Sequence, residues 1–110
     1  MAVELEQVKK DIGEAAERMG MDYEDLVEMV PEVLDDCLQK AEKLGAAIQS
    51  GDSAQVKAIA HDLKGSTANY GIMAPSALAK SLEANFESPN AAELEQFIVL
   101  IKDIISKDLV

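Results

Sequence analysis

His61 is the single histidine of the chain, and its neighbours give it a chemistry. An imidazole with the ordinary pKa of about 6.5 is largely neutral at neutral pH and keeps a lone pair for attack on an electrophile. On a helical wheel His61 falls away from the apolar stripe Ile59, Leu63 and Tyr70, so its ring faces solvent. Helical side chains lean toward the N-terminus, which places the residues three and four ahead over the histidine's own turn. Those residues are Lys64 and Gly65. Lys64 brings an ammonium back toward the imidazole, and Gly65 leaves the ring open where a side chain would crowd it. A mid-helix glycine costs roughly 1 kcal/mol against alanine, and on the His61 face core packing does not explain it. An exposed nucleophile, a cation one turn later and a steric opening suit attack on a phosphoryl group brought by another protein. Lys64 offers its negative oxygens charge-assisted hydrogen bonds. In so exposed a place the attraction is worth about 1 kcal/mol or less, so Lys64 tunes the site rather than creating it.

The elements that must position these residues are helical. Pro31, Pro75 and Pro89, with Gly20, Gly51 and Gly71, punctuate the chain as boundaries. Residues 3–19 form a polar, weakly amphipathic segment ending at Gly20. Asp22 predicts an N-cap for a short helix through Met29, and Pro31 predicts the start of a new helix or a kink. Val30, Leu34, Cys37, Ala41, Leu44 and Ile48 then follow alternating steps of 4 and 3, the seam of a bundle helix. Asp52 with Gln55 has the form of a capping box, opening a helix that runs to about Tyr70. Its stripe is Val56, Ile59, Ala60, Leu63 and Tyr70, with Thr67 beside it. A further helix starts near Pro75, where Ala74 is a poor cap, and shows Leu78, Ala79, Leu82 and Phe86 on one face. The last opens on Asn90 and Glu93, a second capping box, and carries Leu94, Phe97, Ile98, Ile101, Ile104 and Ile105. Short connections imply antiparallel neighbours. The expected fold is all-α, an up-down antiparallel four-helix bundle with an additional N-terminal helical segment. The whole chain, 1–110, reads as one domain, with an N-terminal extension over 1–21 and the bundle over 22–108.

Composition narrows the function. With 48% hydrophobic and 4% aromatic residues and no Trp, the core must be aliphatic. A net charge of −11 argues against nucleic acid, whose binding needs clustered Lys and Arg, and against an anionic membrane surface. The lone cysteine, Cys37, cannot form an intramolecular disulfide and sits on a core seam, which suits packing in a reducing compartment. MAVELEQVKK has no apolar h-region, and the longest strongly apolar run, Phe97 to Ile101, falls far short of a membrane span. A cytoplasmic monomer that meets other proteins is expected, and the start at Met1 fits a stand-alone protein. One His and one Cys on different helices make a poor metal site. There is no Gly-rich phosphate loop, so His61 is not charged by this chain's own use of ATP.

The stretch Ala60-His61-Asp62-Leu63-Lys64-Gly65-Ser66, continuing through Asn69 and Tyr70 to Gly71, resembles the signature of histidine-containing phosphotransfer (HPt) domains. Gly51-Asp52 and Leu82-Glu83 also sit where that family tends to place such pairs, and the resemblance covers about residues 22–108. Ile72 and Pro75 depart from it. The resemblance implies His61 as the phosphoacceptor, with Lys64 as its electrostatic support and Gly65 as its steric access. It implies a phosphorelay shuttle rather than an enzyme, taking a phosphoryl group from a receiver-domain aspartate and passing it to another receiver. A sensor histidine kinase then stands upstream, and Mg²⁺ is supplied by the receiver, not by this chain. Lys57, one turn before His61, and the small residues Ala58 and Ala68 are candidates for the docking face, ahead of Lys80 on the following helix.

Two other functions fit parts of the sequence. One is a helical adaptor that binds receivers without ever being phosphorylated. The other is an acidic carrier protein with a phosphopantetheine arm on Ser53. Gly51-Asp52-Ser53-Ala54 has a loose likeness to an Asp-Ser-Leu attachment motif, but Ala follows Ser here and Asp52 already serves as a cap.

Overall fold

Five helices and no strand make up residues 4–110, the part of the chain described by the computed structural model. Residues 1–3 of the expected N-terminal extension lie outside the described residues. The helices are α1 (Leu5–Met19), α2 (Tyr23–Ser50), α3 (Ser53–Asn69), α4 (Met73–Ala84) and α5 (Ala91–Ile105). Packing contacts join α2 to α3, α3 to α4, α4 to α5 and α5 back to α2, while α1 lies against α2. The molecule is elongated, 41 × 26 × 19 Å.

The seam read from the sequence is the core from Val30 to Leu44, while Ile48 is only partly buried and Ala47 takes the buried place beside it. Leu26, Val30, Leu34, Cys37, Ala41 and Leu44 of α2 are buried, and they meet Val56, Ala60 and Leu63 of α3, Ala79 and Leu82 of α4, and Phe97, Ile101 and Ile104 of α5. Phe97 is the one aromatic ring among the buried residues, so the core is aliphatic as composition requires. Burial pushes the Cys37 thiol up to about 11, and an inert packing residue is what that environment makes of it.

Two boundaries and one capping interaction differ from expectation. The break at Met29–Pro31 is not there, because α2 runs unbroken through Pro31 as one helix of 28 residues. Proline inside a helix forfeits a hydrogen bond, at about 3 kcal/mol. Here the seam on both sides of it offsets that loss, since Val30 and Leu34 are buried while Pro31 itself faces outward. The helix expected near Pro75 begins at Met73, with Ile72 as an N-cap that makes no side-chain bond. Pro75 thereby falls in the first turn, where its missing N–H has no partner to lose. The second capping box does not close. The Asn90 side chain accepts from Ala92 N at 2.9 Å, while the Glu93 carboxylate accepts from Ser81 Oγ at 3.0 Å. Asp52 caps α3 as read, accepting from Gln55 N at 3.2 Å. Asp22 holds the N-cap position of α2 without a side-chain bond.

The turn between α3 and α4 depends on Gly71. Its φ of +77° lies in the left-handed region, and Ile72 N closes the end of α3 on Thr67 O at 2.8 Å. A Cβ at Gly71 would stand 2.4 Å from the backbone oxygen of Asp11 in α1. Gly51 has a similar φ of +72° but open space around it. Gly51→Ala should therefore cost about 1 kcal/mol, the conformational penalty alone. Gly71→Ala should cost about 3 kcal/mol or more, because the overlap with α1 is added to it. Urea denaturation of the two variants checks this, and equal losses would contradict the close approach of α1.

Candidate functional site

α3 and α4 run past one another in opposite senses, and a series of contacts fixes their register. Ser76 Oγ of α4 donates to Lys64 O of α3 at 3.3 Å. Further along, Glu83 of α4 reaches His61, and beyond the end of α4 Phe86 lies beneath Lys57. Buried Thr67 steadies the last turn of α3, its hydroxyl donating to Leu63 O at 2.7 Å.

His61 projects from α3 with 67% of its side chain exposed. The apolar stripe on the same helix drives this placement, since Ala60 and Leu63 are fully buried. The ring is nevertheless held. Its Nδ1 lies 2.7 Å from Glu83 Oε2, and the other carboxylate oxygen, Oε1, accepts from Lys64 Nζ at 2.5 Å. The hydrogen bond from Lys64, and after it that from His61, hold the Glu83 carboxyl below its ordinary 4.5 against the opposing effect of burial. An ionised carboxylate only accepts hydrogen bonds, so Nδ1 must carry the proton. In the neutral ring the lone pair is then on Nε2, at the open edge.

Lys64 thus spends its charge on Glu83, and its reach toward the ring is through that shared carboxylate. Gly65 meets the expectation of open space, since a Cβ there would touch nothing within 4 Å. Ala58 is exposed and Ala68 half-buried, with its carbonyl accepting from Arg18 Nη2 of α1 at 3.4 Å. The Lys57 ammonium stands 5.0 Å from the centre of the Phe86 ring. Lys80 is exposed on α4. Ser53, the carrier candidate, starts α3 two turns before His61 and shares no contact with this group. No set of three or more His, Cys, Asp and Glu residues poised for a metal occurs among the described residues.

A family model described as the Hpt domain matches residues 23–107. The chain belongs to the Hpt domain family. Comparison with curated proteins and with solved structures gives no match. Hpt domains are phosphotransfer shuttles of two-component signalling, distinct from kinases, and they work with receiver domains and histidine kinases. The Hpt match takes in α2 to α5 and leaves out α1. No helix among the described residues is long and apolar enough to cross a membrane.

Sequence reasoning missed the part played by Glu83. It entered only as half of the Leu82-Glu83 pair, and the alternation itself was the available signal. Leu82 is buried in the core, so its neighbour on α4 must leave the core at an angle that can overlook α3. The depressed titration of Glu83 has a consequence for stability. A carboxylate with a lowered folded-state pKa stabilises the fold above its unfolded pKa, and that contribution is lost as pH falls through the folded value. Glu83→Gln carries no charge at any pH. Wild type should therefore be the more stable at neutral pH, with the gap closing below about pH 4.5. Urea denaturation of both proteins across that range tests it, and a gap independent of pH would mean that Glu83 is not held as an anion.

Proposed function

We propose that this Hpt domain carries a phosphoryl group on Nε2 of His61, accepting it from the phospho-aspartate of a receiver domain and passing it to the aspartate of another. The observation that carries the reading is the pairing of Nδ1 with Glu83 beside an open Nε2. The Nε2 lone pair attacks phosphorus, the bond from phosphorus to the aspartyl oxygen breaks, and the carboxylate of the donor leaves. The Nδ1 proton stays on the ring, and the Glu83 carboxylate compensates the positive charge that develops there. Lys64 in turn balances Glu83, so the carboxylate does not repel an incoming anion. Gly65 keeps the approach clear.

Phosphoryl transfer of this kind rests on in-line positioning and charge neutralisation more than on covalent help. The domain supplies the nucleophile and a docking face. The receiver supplies Mg²⁺, since His61 and buried Cys37 stand on different helices and the best-placed carboxylate, Glu83, is already paired. The ring of contacts from α2 through α5 and the short turns between them support an up-down four-helix arrangement, with 22–108 as the working unit and α1 as an extension of it. The domain acts as a monomer in this reading. Ala58, Ala68 and Lys57 border the face a receiver would meet.

Incubation with phosphorylated receivers should place label on this chain that is lost in brief acid and survives base, as a phosphoramidate does. His61→Gln should abolish it with the fold intact, because an exposed side chain contributes little to stability. Chelation of Mg²⁺ should stop transfer without altering the melting of this chain. Label persisting in His61→Gln would sink the proposal.

Gly65 separates access from stability. Gly65→Ala should leave the fold intact and add up to about 1 kcal/mol of helix stability. Gln or Leu there should also fold, yet their side chains lean back over the imidazole. Initial transfer rate should fall with substituent size while the melting temperature holds or rises. Variants that transfer at the wild-type rate would refute the steric role.

A further inference from the structure

We infer that Lys57, rather than Lys64, is the cation that faces the phosphoryl group once it is on His61. This rests on the reading of His61 as the phosphoacceptor and goes beyond it. The His61 side chain leans over the turn N-terminal to its own Cα, which is the turn that begins at Lys57. Nδ1 is occupied by Glu83, so a phosphoryl group on Nε2 stands at the free edge of the ring. Lys64 lies on the C-terminal side, with its ammonium 2.5 Å from Glu83 Oε1. Lys57 has no carboxylate of its own in this arrangement. Its ammonium is parked over Phe86, 5.0 Å from the ring centre, and Phe86 follows Glu83 by less than a turn. Both Lys57 and His61 are therefore drawn to the same edge of α4. A cation–π contact at an exposed place is weak, on the order of a single hydrogen bond. A dianionic group draws an ammonium more strongly than a ring face does, so phosphorylation of His61 turns the Lys57 ammonium from Phe86 toward it. The other charges around this region include Asp62 and Lys64 on α3, Glu83 and Lys80 on α4, Glu87 next to Phe86, and Lys40 on α2, which is paired with Asp36 and feels Asp62.

The test uses phosphoramidate as donor, so it needs no receiver. Its phosphorus–nitrogen bond breaks as the Nε2–phosphorus bond forms, and the leaving nitrogen departs as ammonia. The phosphoryl titration is then followed by ³¹P NMR. A nearby ammonium favours the dianion, so Lys57→Ala should raise the phosphoryl pKa by roughly half a unit. Lys57→Arg should restore the wild-type value, which a merely structural defect would not allow. Lys102→Ala, exposed on α5, removes the same charge at a distance and should leave the titration unmoved. A wild-type titration in Lys57→Ala, or an equal shift in Lys102→Ala, overturns the role of Lys57 alone. No label on His61 in the wild-type protein overturns this inference together with the phosphoacceptor reading.

Discussion

An imidazole on the outside of a helix turns about two bonds and exchanges two tautomers of similar energy unless something beyond the helix holds it. Here the Glu83 carboxylate does so, and the chemistry of the site follows from that hydrogen bond. It fixes the ring plane, places the proton on Nδ1 and leaves the lone pair of the neutral ring on Nε2. The constraint is a matter of register, because Glu83 comes from α4. A helix turns by about 100° per residue, so a slip of one residue between α3 and α4 would carry the carboxylate away from both His61 and Lys64. The buried contacts of Ala60 and Leu63 with the α4 side, and the hydroxyl of Ser76 on Lys64 O, are what forbid the slip.

Stability and reactivity are drawn from different parts of the molecule. Truncating a buried leucine such as Leu34 or Leu82 costs about 2–5 kcal/mol. The partly buried Lys64–Glu83 pair contributes about 1 kcal/mol or less once solvent screens it. The face that bears His61 is therefore nearly free of structural duty. A glycine can stand within α3 there, since nothing packs against it.

Much of this was legible in the sequence because it depends on local periodicity. The buried seam of α2 and the stripes of α3 and α5 were read from steps of three and four, and His61, Lys64 and Gly65 lie within one helical turn. What escaped detection depends on tertiary register. Glu83 lies 22 residues from His61, and no spacing rule ties a residue of one helix to a particular turn of the next. Asn90 and Glu93 matched the capping box by type, but Ser81 on α4 competes for the Glu93 carboxylate. Pro31 was read by its local preference alone, whereas burial of Val30 and Leu34 on either side carries the helix through it. In each case a local rule met a contact from another helix, and the contact won.

The N-terminal helix shows how far that principle extends. Gly71 belongs to the stretch that marks the Hpt family, and its positive φ would be reason enough for glycine at the end of α3. In this chain the position is required a second time, because the α1 backbone at Asp11 occupies the space where a Cβ would go. Arg18 of α1 adds a bond to Ala68 O, which also accepts from Gly71 N at the end of α3. Although α1 lies outside the Hpt match, it braces the turn that joins α3 to α4. Further along the same helix pair Glu83 grips α3 at His61 and Lys64. His61 thus stands on a hairpin braced at its turn and held in the middle. The part left free is the solvent edge of the ring, where Nε2 is.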